Sequence, residues 1–258
     1  MNKKISYLFF TTILVGLLAC SDSEDKIPEE AMGLEPLNNA SLAAIAIPDN
    51  YGARVAEDIL NSGGNAVDAA VATGFALAVT FIDAGNIGGG GFMAVKMDND
   101  IAFLDYREKA PLTAHKDMYL DEQGNVIDSI TLIGGQAAGV PGTVAGFWEA
   151  HKRFGKLPWE DVVQPAIDLA ANGFIPAPIL VDSIHSMQQR FDGKTNFNDY
   201  FNHINSSKVF KQPELAKTLA RIAEFGADDF YRGKTATLIV EEMKRSNGLI
   251  SAEDLDQY

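Results

Sequence analysis

The sequence predicts an α+β fold, in which strands and helices are mixed without regular alternation. A hairpin is predicted by two apolar segments, Phe92 to Met97 and Ile101 to Tyr106, which are joined by a tight Asp-Asn-Asp turn. Helical patterns occur on both sides of this hairpin, without the strand–helix alternation that marks a parallel sheet. The chain has 258 residues, 47% of them hydrophobic and 22% charged, which is enough for one large domain or two small ones.

The residues ahead of the hairpin are predicted to form one strand and two helices. Leu42 to Ile47 is a short apolar run that is typical of a buried strand. Tyr51 to Leu60 is predicted as a helix that ends at the Ser-Gly-Gly sequence 62–64. Asn65 can cap a second helix from Ala66 to about Thr80. Because apolar residues occur on every side of that helix, we expect it to be buried.

Four further helices are predicted after the hairpin, at 143–154, 159–171, 213–225 and 234–245. Gly155 and Gly226 follow the first and third of them, as glycine commonly does at a helix end. Pro165 is expected to kink the second or to break it early, because proline lacks the N–H that a helix interior uses. Residues 174–209 show no clear period, and no element is assigned to them.

The last residues of the sequence have the pattern of a helix start. Ser251 can cap it, and Asp254 can reciprocate three residues later. The sequence stops at Tyr258, within about two turns of that start. We therefore expect the chain to be part of a longer protein; the alternative is a terminal turn that frays, as chain ends often do.

The composition argues against several functions. Asp and Glu number 35 against 21 Lys and Arg, and the net charge of −14 disfavours binding to nucleic acid or to an anionic membrane surface. The single cysteine excludes an intramolecular disulfide and a multi-cysteine metal site. The four histidines are His115, His151, His185 and His203. None begins an H-E-x-x-H sequence, and no pair has the spacing of metal ligands, so no metal site is predicted from them.

The first residues have the pattern of an export signal. Two lysines precede an uncharged stretch of 15 residues, Ile5 to Ala19, which is short for a membrane span. The Leu-Leu-Ala-Cys sequence that ends at Cys20 resembles a bacterial lipobox, in which Cys20 would receive the lipid. We interpret 1–19 as a lipoprotein signal peptide and 20–40 as an acidic tether. The protein is then expected on the periplasmic side, held to a membrane only by its lipid anchor; an ordinary signal peptide is the alternative.

Four consecutive glycines, Gly88 to Gly91, lie between the second helix and the hairpin. A phosphate-binding loop runs in the order strand, glycines, helix, so that the helix N-terminus faces the anion. Here the order is helix, glycines, strand, and no Lys-Ser or Lys-Thr pair follows at the required distance. Nucleotide binding is therefore not favoured, and the glycines are expected to let other backbone or a ligand approach closely.

Arg107 is the candidate binding residue, because it follows the second predicted strand and its apolar residues. A guanidinium can hold a carboxylate with two parallel hydrogen bonds. The alternative is a structural ion pair with Glu108 or Asp105, and composition alone favours that alternative because surface ion pairs are common.

Three groups of motifs resemble the γ-glutamyltranspeptidase family, whose members are also called glutathione hydrolases. They are NSGGNAVDAAVA at 61–72, AGNIGGGGFM at 84–93 with DYREKAP at 105–111, and GVPGTVAG at 139–146 with VQPA at 163–166 and NGF at 172–174. The sequence LISAEDL at 249–255 is similar to another family segment. The resemblance extends from about Leu42 to Tyr258, and we therefore interpret 41–258 as the N-terminal part of the family's large subunit.

The resemblance implies the N-terminal-nucleophile hydrolase fold, a four-layer αββα arrangement that is incomplete in this chain. A precursor of this family cleaves itself into a large and a small subunit. The N-terminal Thr of the small subunit attacks γ-glutamyl amides such as glutathione, and its own amine activates its hydroxyl. The resulting γ-glutamyl-enzyme transfers its acyl group to water, an amino acid or a peptide. No metal or organic cofactor is implied.

By position in the Asp-Tyr-Arg-Glu motif, Arg107 matches the residue that binds the α-carboxylate of the glutamyl group, and the resemblance therefore favours its functional role. No catalytic residue is assigned within the sequence, because the only Thr-Thr pair lies in the signal segment, at 11–12. The 258 residues alone are expected to be inactive. Two alternatives remain open: a related glutaryl-type (cephalosporin) acylase, or a non-catalytic lipid-anchored fragment.

Overall fold

The computed structural model describes residues 43–97 and 99–258. In this part of the chain there are ten α-helices, a 3-10 turn at Gly135–Ala137, and one hairpin of strands β1 (Phe92–Met97) and β2 (Asp100–Asp105). The helices are α1 (Asn50–Asn61), α2 (Ala66–Thr80), α3 (Thr143–Phe154), α4 (Trp159–Asn172), α5 (Pro178–Phe191), α6 (Phe197–Phe201), α7 (Pro213–Phe225), α8 (Ala227–Arg232), α9 (Lys234–Arg245) and α10 (Ala252–Asp256). The predicted α+β class is confirmed.

Helix α2 forms the centre of the core, as its apolar composition predicts. Asn65 caps it: its side-chain oxygen accepts hydrogen bonds from the second and third helical amides, and the Asp68 carboxylate accepts one from the Asn65 amide in return. Helices α1 and α4 pack against it. The fully buried ring of Phe75 makes edge-to-face contacts with Phe147 of α3, at 5.1 Å between centroids, and with Trp159, at 5.7 Å.

The strand predicted at Leu42 to Ile47 is wrong for the residues that the structure describes. Residues 43–47 have no regular secondary structure, and Ile45 is 40% exposed. A β-strand requires a neighbouring backbone for its hydrogen bonds. Within 43–97 and 99–258 the only sheet is the pairing of β1 with β2, which leaves this segment without a partner strand. Leu42 lies outside the described residues.

The hairpin has one buried and one exposed face. Its register pairs Phe92 with Asp105 and Val95 with Ala102, which places Val95 and Leu104 on the face turned towards the core. On the other face Phe92 and Phe103 stack on each other, with 5.5 Å between ring centroids, and both remain largely exposed.

Pro165 does not break α4, contrary to one of the two outcomes predicted for it. The helix continues from Trp159 to Asn172 through the proline. Proline removes the hydrogen bond to the carbonyl four residues earlier. That carbonyl belongs to Asp161, an exposed residue in the first turn of α4, where water can replace the lost donor.

The other predicted helices are confirmed with small differences at their ends, and the unassigned segment 174–209 contains α5 and α6. The helix start at Ser251 is also confirmed. Its hydroxyl accepts a hydrogen bond from the Asp254 amide, and the Asp254 carboxylate accepts one from the Ser251 amide at 2.7 Å.

Candidate functional site

Arg107 lies just beyond β2, at the exposed end of the hairpin. The preceding residue, Tyr106, exchanges two backbone hydrogen bonds with Gly91 and fixes the end of the ladder. The Arg107 side chain is 62% exposed, and its guanidinium carbon lies 5.7 Å from the centre of the Phe92 ring. This position leaves the charged end of the side chain accessible from solvent.

The ion pair between Arg107 and Glu108, which was the alternative to a binding role, is present in the structure. It uses one nitrogen of the guanidinium. Its Nε lies 3.3 Å from Oε2 of Glu108. The Asp105 carboxylate instead accepts a hydrogen bond from the Arg107 backbone amide, at 3.0 Å. Among the described residues, neither terminal nitrogen of the guanidinium has a hydrogen-bond partner, so their N–H donors are not used within this part of the chain. An Arg oriented in this way can accept a carboxylate end-on, with one oxygen on each terminal nitrogen.

The glycine run packs directly against the backbone on both sides of Arg107. A Cβ placed on Gly90 would lie 2.5 Å from the Tyr106 carbonyl oxygen and 2.7 Å from the Glu108 nitrogen. The Gly89 carbonyl accepts hydrogen bonds from the amides of Gly142 and Thr143, at 2.7 and 3.0 Å. The amides at the start of α3 are therefore bonded to protein, and the predicted close backbone approach is confirmed.

Two tyrosines near this site are residues that the sequence reasoning missed. The hydroxyl of Tyr258 donates a hydrogen bond to the Arg107 carbonyl at 2.7 Å. The ring of Tyr258 stacks on that of Tyr231, with 5.5 Å between centroids and 17° between planes. The hydroxyl of Tyr231 donates to the Pro141 carbonyl at 2.8 Å. No local pattern could have indicated these contacts, because 151 residues separate Tyr258 from Arg107.

Burial raises the pKa of both tyrosines. It raises the pKa of Tyr231 far above its ordinary value, and it raises the pKa of Tyr258, to which the negative charges of Asp105 and Glu108 contribute in the same direction. Both phenols are therefore neutral at physiological pH and can act as hydrogen-bond donors.

Of the four histidines, for which no metal site is predicted, His151 has the most buried environment. Its Nε2 lies 2.9 Å from the Leu157 carbonyl and 3.5 Å from the Asp68 carboxylate, and its ring packs on Trp159. Within the described ranges, no three His, Cys, Asp or Glu side chains are grouped as metal ligands would be.

The predicted lipidation residue, Cys20, lies outside the described residues, as do the signal segment 1–19, with its Thr-Thr pair, and the tether 20–40. In residues 43–97 and 99–258, none of the helices has the length and apolar character needed to cross a membrane.

Comparison with known proteins identifies the family. A family model described as gamma-glutamyltranspeptidase matches residues 52–258. The chain belongs to the γ-glutamyltranspeptidase family.

Among its relatives in this family, the glutathione hydrolase proenzyme of Pseudomonas aeruginosa is 57% identical over 215 residues, which cover 83% of this chain and 39% of the relative. The corresponding proenzyme of Escherichia coli is 44% identical over 234 residues, which cover 85% and 39%. The chain thus spans about two fifths of the length of these relatives.

Solved γ-glutamyltranspeptidases show the same fold. The enzyme from Pseudomonas nitroreducens, solved in complex with L-DON, has a TM-score of 0.82 at 57% identity, over 84% of this chain and 64% of that one. The chain is therefore part of an α+β N-terminal-nucleophile hydrolase fold. A cephalosporin acylase from Bacillus halodurans is a more distant neighbour, with a TM-score of 0.72 at 25% identity over 87% of this chain and 45% of that one.

Proposed function

We propose that this chain is the N-terminal part of a γ-glutamyltransferase, or glutathione hydrolase, that acts on glutathione and other γ-glutamyl compounds. The observation that carries the proposal is the 57% identity over 215 residues to a glutathione hydrolase proenzyme. The acylase alternative has weaker support, because the cephalosporin acylase is only 25% identical.

Arg107 is proposed to bind the α-carboxylate of the γ-glutamyl donor. Three features of its surroundings support this role: the exposed side chain, terminal nitrogens that have no hydrogen-bond partner among the described residues, and a backbone that packs against Gly90 and is bonded to Tyr258. A charge-assisted hydrogen bond contributes about 1.5–3 kcal/mol, and a two-bond contact also fixes the orientation of the donor. The bond from Nε to Glu108 leaves both terminal nitrogens available for that contact.

The chemical step is proposed to use a Thr that is not among these 258 residues. Its Oγ would attack the γ-carbonyl carbon of the donor while its own α-amine accepts the hydroxyl proton. Collapse of the tetrahedral intermediate breaks the C–N bond, and the departing amine takes the proton. Water or an amino-acid amine then attacks the γ-glutamyl ester and regenerates the Thr hydroxyl. The 258 residues alone are accordingly proposed to be inactive.

The exposed face of the hairpin is proposed to pack against the small subunit. Ile101 and Phe103 are 79% and 66% exposed and lie on the same face of the hairpin as Phe92, which is 52% exposed. Three large apolar side chains on one sheet face form the kind of patch that marks an interaction surface. Stacked sheets bury such faces against each other about 10 Å apart.

Export and lipid anchoring at Cys20 are proposed from the sequence of the first 40 residues. Metabolic labelling with a radioactive fatty acid tests this directly. The wild-type protein is expected to incorporate the label and a Cys20→Ser variant to lose it. Incorporation in both proteins would contradict lipidation at this residue.

The experiment that tests the proposed function is expression of the whole open reading frame that contains this chain. The purified protein is expected to cleave itself into two subunits and to release glutamate from glutathione. Preference for glutaryl amides over glutathione would support the acylase alternative. An intact chain that turns over neither substrate would support the non-catalytic alternative and contradict the proposal.

A further inference from the structure

A hydrogen bond of 2.7 Å from the Tyr258 hydroxyl to the Arg107 carbonyl joins the residues that follow α10 to the end of the hairpin. We propose that Tyr258 is a positioning residue for Arg107. It would hold the backbone from which the guanidinium reaches the donor carboxylate, without itself touching the donor. This inference rests on the proposed function and adds a second residue to the same site.

Tyr258 is itself held in place by well-defined contacts. Its ring stacks on Tyr231, which is 5% exposed. The Tyr231 hydroxyl makes two hydrogen bonds: it donates to the Pro141 carbonyl and accepts from the Ala145 amide, the latter at 3.2 Å. The ammonium of Lys109 lies 4.5 Å from the centre of the Tyr258 ring. Through the Tyr231 ring, Tyr258 is thus connected to the start of α3.

Gly90 packs against the backbone of Arg107, and its neighbours Tyr106 and Lys109 are bonded to Gly91 and Val140, but Arg107 itself makes few hydrogen bonds. Its amide bonds to the side chain of Asp105, a local contact, and its side chain touches Glu108 and Phe92 at the surface. The carbonyl bond from Tyr258 fixes the orientation of the peptide plane between Arg107 and Glu108. That orientation contributes to the direction in which the Arg107 side chain leaves the backbone, and therefore to the region that the guanidinium can reach.

Removal of the Tyr258 hydroxyl is expected to change where the Arg107 guanidinium lies, and not to unfold the protein. The bond lies at an exposed location, where water can solvate the Arg107 carbonyl once the phenol is removed. The Tyr258→Phe variant keeps the ring that stacks on Tyr231. Water satisfies the carbonyl but does not hold it in one direction, and a site loses binding when its supporting contacts are loosened.

The test uses kinetics of the whole protein with the donor γ-glutamyl-p-nitroanilide. The Tyr258→Phe variant is expected to raise KM about three- to tenfold, the worth of one hydrogen bond, with kcat within about twofold of the wild type. The matched control is Tyr119→Phe, whose hydroxyl also donates to a backbone carbonyl, that of Gln136 at 3.1 Å, within the loop between β2 and α3. This control should leave KM unchanged.

A double-mutant cycle with Arg107→Ala shows whether Tyr258 acts through Arg107. Adding Tyr258→Phe to Arg107→Ala should raise KM no further, because no guanidinium is left to position. An equal increase in both backgrounds would overturn the proposal, as would a Tyr258→Phe variant that behaves like the control. If Arg107→Ala alone leaves KM unchanged, the carboxylate role in the proposed function fails instead, and the positioning role fails with it.

Hydrogen–deuterium exchange provides a readout that needs no turnover. Tyr258→Phe is expected to speed exchange in peptides that cover 105–110, with no change in the peptides around Tyr119. Unaltered exchange in 105–110 would overturn the proposal even in a protein that lacks activity.

Discussion

The carboxylate of Asp68 accepts hydrogen bonds from the backbone amide of Lys156, 88 residues further along the chain, at 2.9 and 3.1 Å. The Asp68 side chain is completely buried. It also accepts a hydrogen bond from the Asn65 amide at 2.8 Å and lies 3.5 Å from Nε2 of His151. A single carboxylate therefore joins the start of α2 to the connection between α3 and α4.

The Asp68→Asn substitution is expected to destabilise the protein by about 1.5–3 kcal/mol. The amide has the shape of the carboxylate, but it loses the charge-assisted bonds and places N–H donors against backbone amides. Urea unfolding measures the change in free energy. The control is Asp161→Asn, at an exposed position in the first turn of α4, which should cost no more than about 0.5 kcal/mol. Equal losses in the two variants would contradict the role given to Asp68.

Gly88 and Gly90, both in the run 88–91, should differ in their tolerance of substitution by alanine. A Cβ on Gly90 would meet the backbone of residues 106–108 at 2.5–2.9 Å, so Gly90→Ala must displace Arg107. Gly88 has nothing within 4 Å of the added atom and does not have a positive φ. We expect Gly90→Ala to lower stability by about 1–3 kcal/mol and to raise donor KM, whereas Gly88→Ala changes neither. Thermal unfolding and donor kinetics on both variants check this, and equal tolerance at the two positions would contradict the packing.

The parts of the fold that could be predicted from the sequence have local determinants. Asn65 and Asp68 are three residues apart and form a capping box by themselves, and the hairpin follows from its two apolar segments and the turn between them. The segment at 42–47 could not be predicted, because an apolar run becomes a strand only where a partner backbone is available. The early break considered for Pro165 is absent for a similar reason, since the cost of proline depends on whether water reaches the carbonyl that it leaves without a donor.

In the candidate site, too, residues with a local sequence signal could be predicted and residues placed by distant contacts could not. Arg107 could be found through its motif, whereas the contact from Tyr258 depends on how α8 and α10 pack, and no local pattern encodes it. The role of Arg107 came from the resemblance rather than from composition, which favoured an ion pair with Glu108. The structure contains the ion pair, which uses Nε alone, whereas the carboxylate-binding role stays a proposal.

Asp254 should make stability depend on pH in the acidic range. Burial alone would raise the pKa of Asp254, but hydrogen bonds from Ser251 and from the Leu112 amide, the latter at 2.5 Å, hold it below its ordinary value. A carboxyl with a lowered folded-state pKa stabilises the protein above the unfolded value of about 3.9, and this contribution is lost as pH falls through the folded pKa. The stability difference between wild type and Asp254→Asn should therefore shrink below about pH 4. Urea unfolding at several pH values measures it, and a constant difference from pH 7 to pH 3 would contradict this explanation.

The exposed face of the hairpin can be tested with two equally exposed isoleucines. Ile101 on β2 and Ile179 on α5 are 79% and 80% exposed. Ile101→Lys would bury an unpaired charge wherever a second sheet covers the hairpin, and we expect it to abolish recovery of a stable two-subunit protein. Ile179→Lys should leave recovery unchanged. Co-purification of the two subunits after self-cleavage measures the effect, and normal assembly of Ile101→Lys would rule out this face as the contact.

The central claim is that Arg107 holds the carboxylate of a γ-glutamyl donor, and the Arg107→Ala variant tests it most directly. Its control is Arg153→Ala, because Arg153 is also a surface arginine beside a carboxylate and an aromatic ring: Glu149 at 4.0 Å and Phe154 at 4.8 Å. Steady-state kinetics should show KM for γ-glutamyl-p-nitroanilide rising at least about tenfold in Arg107→Ala, with self-cleavage intact. Arg107→Lys should recover part of the loss, because an ammonium lacks the planar fork. Donor kinetics in Arg107→Ala that match those of the wild type and of Arg153→Ala would contradict the claim.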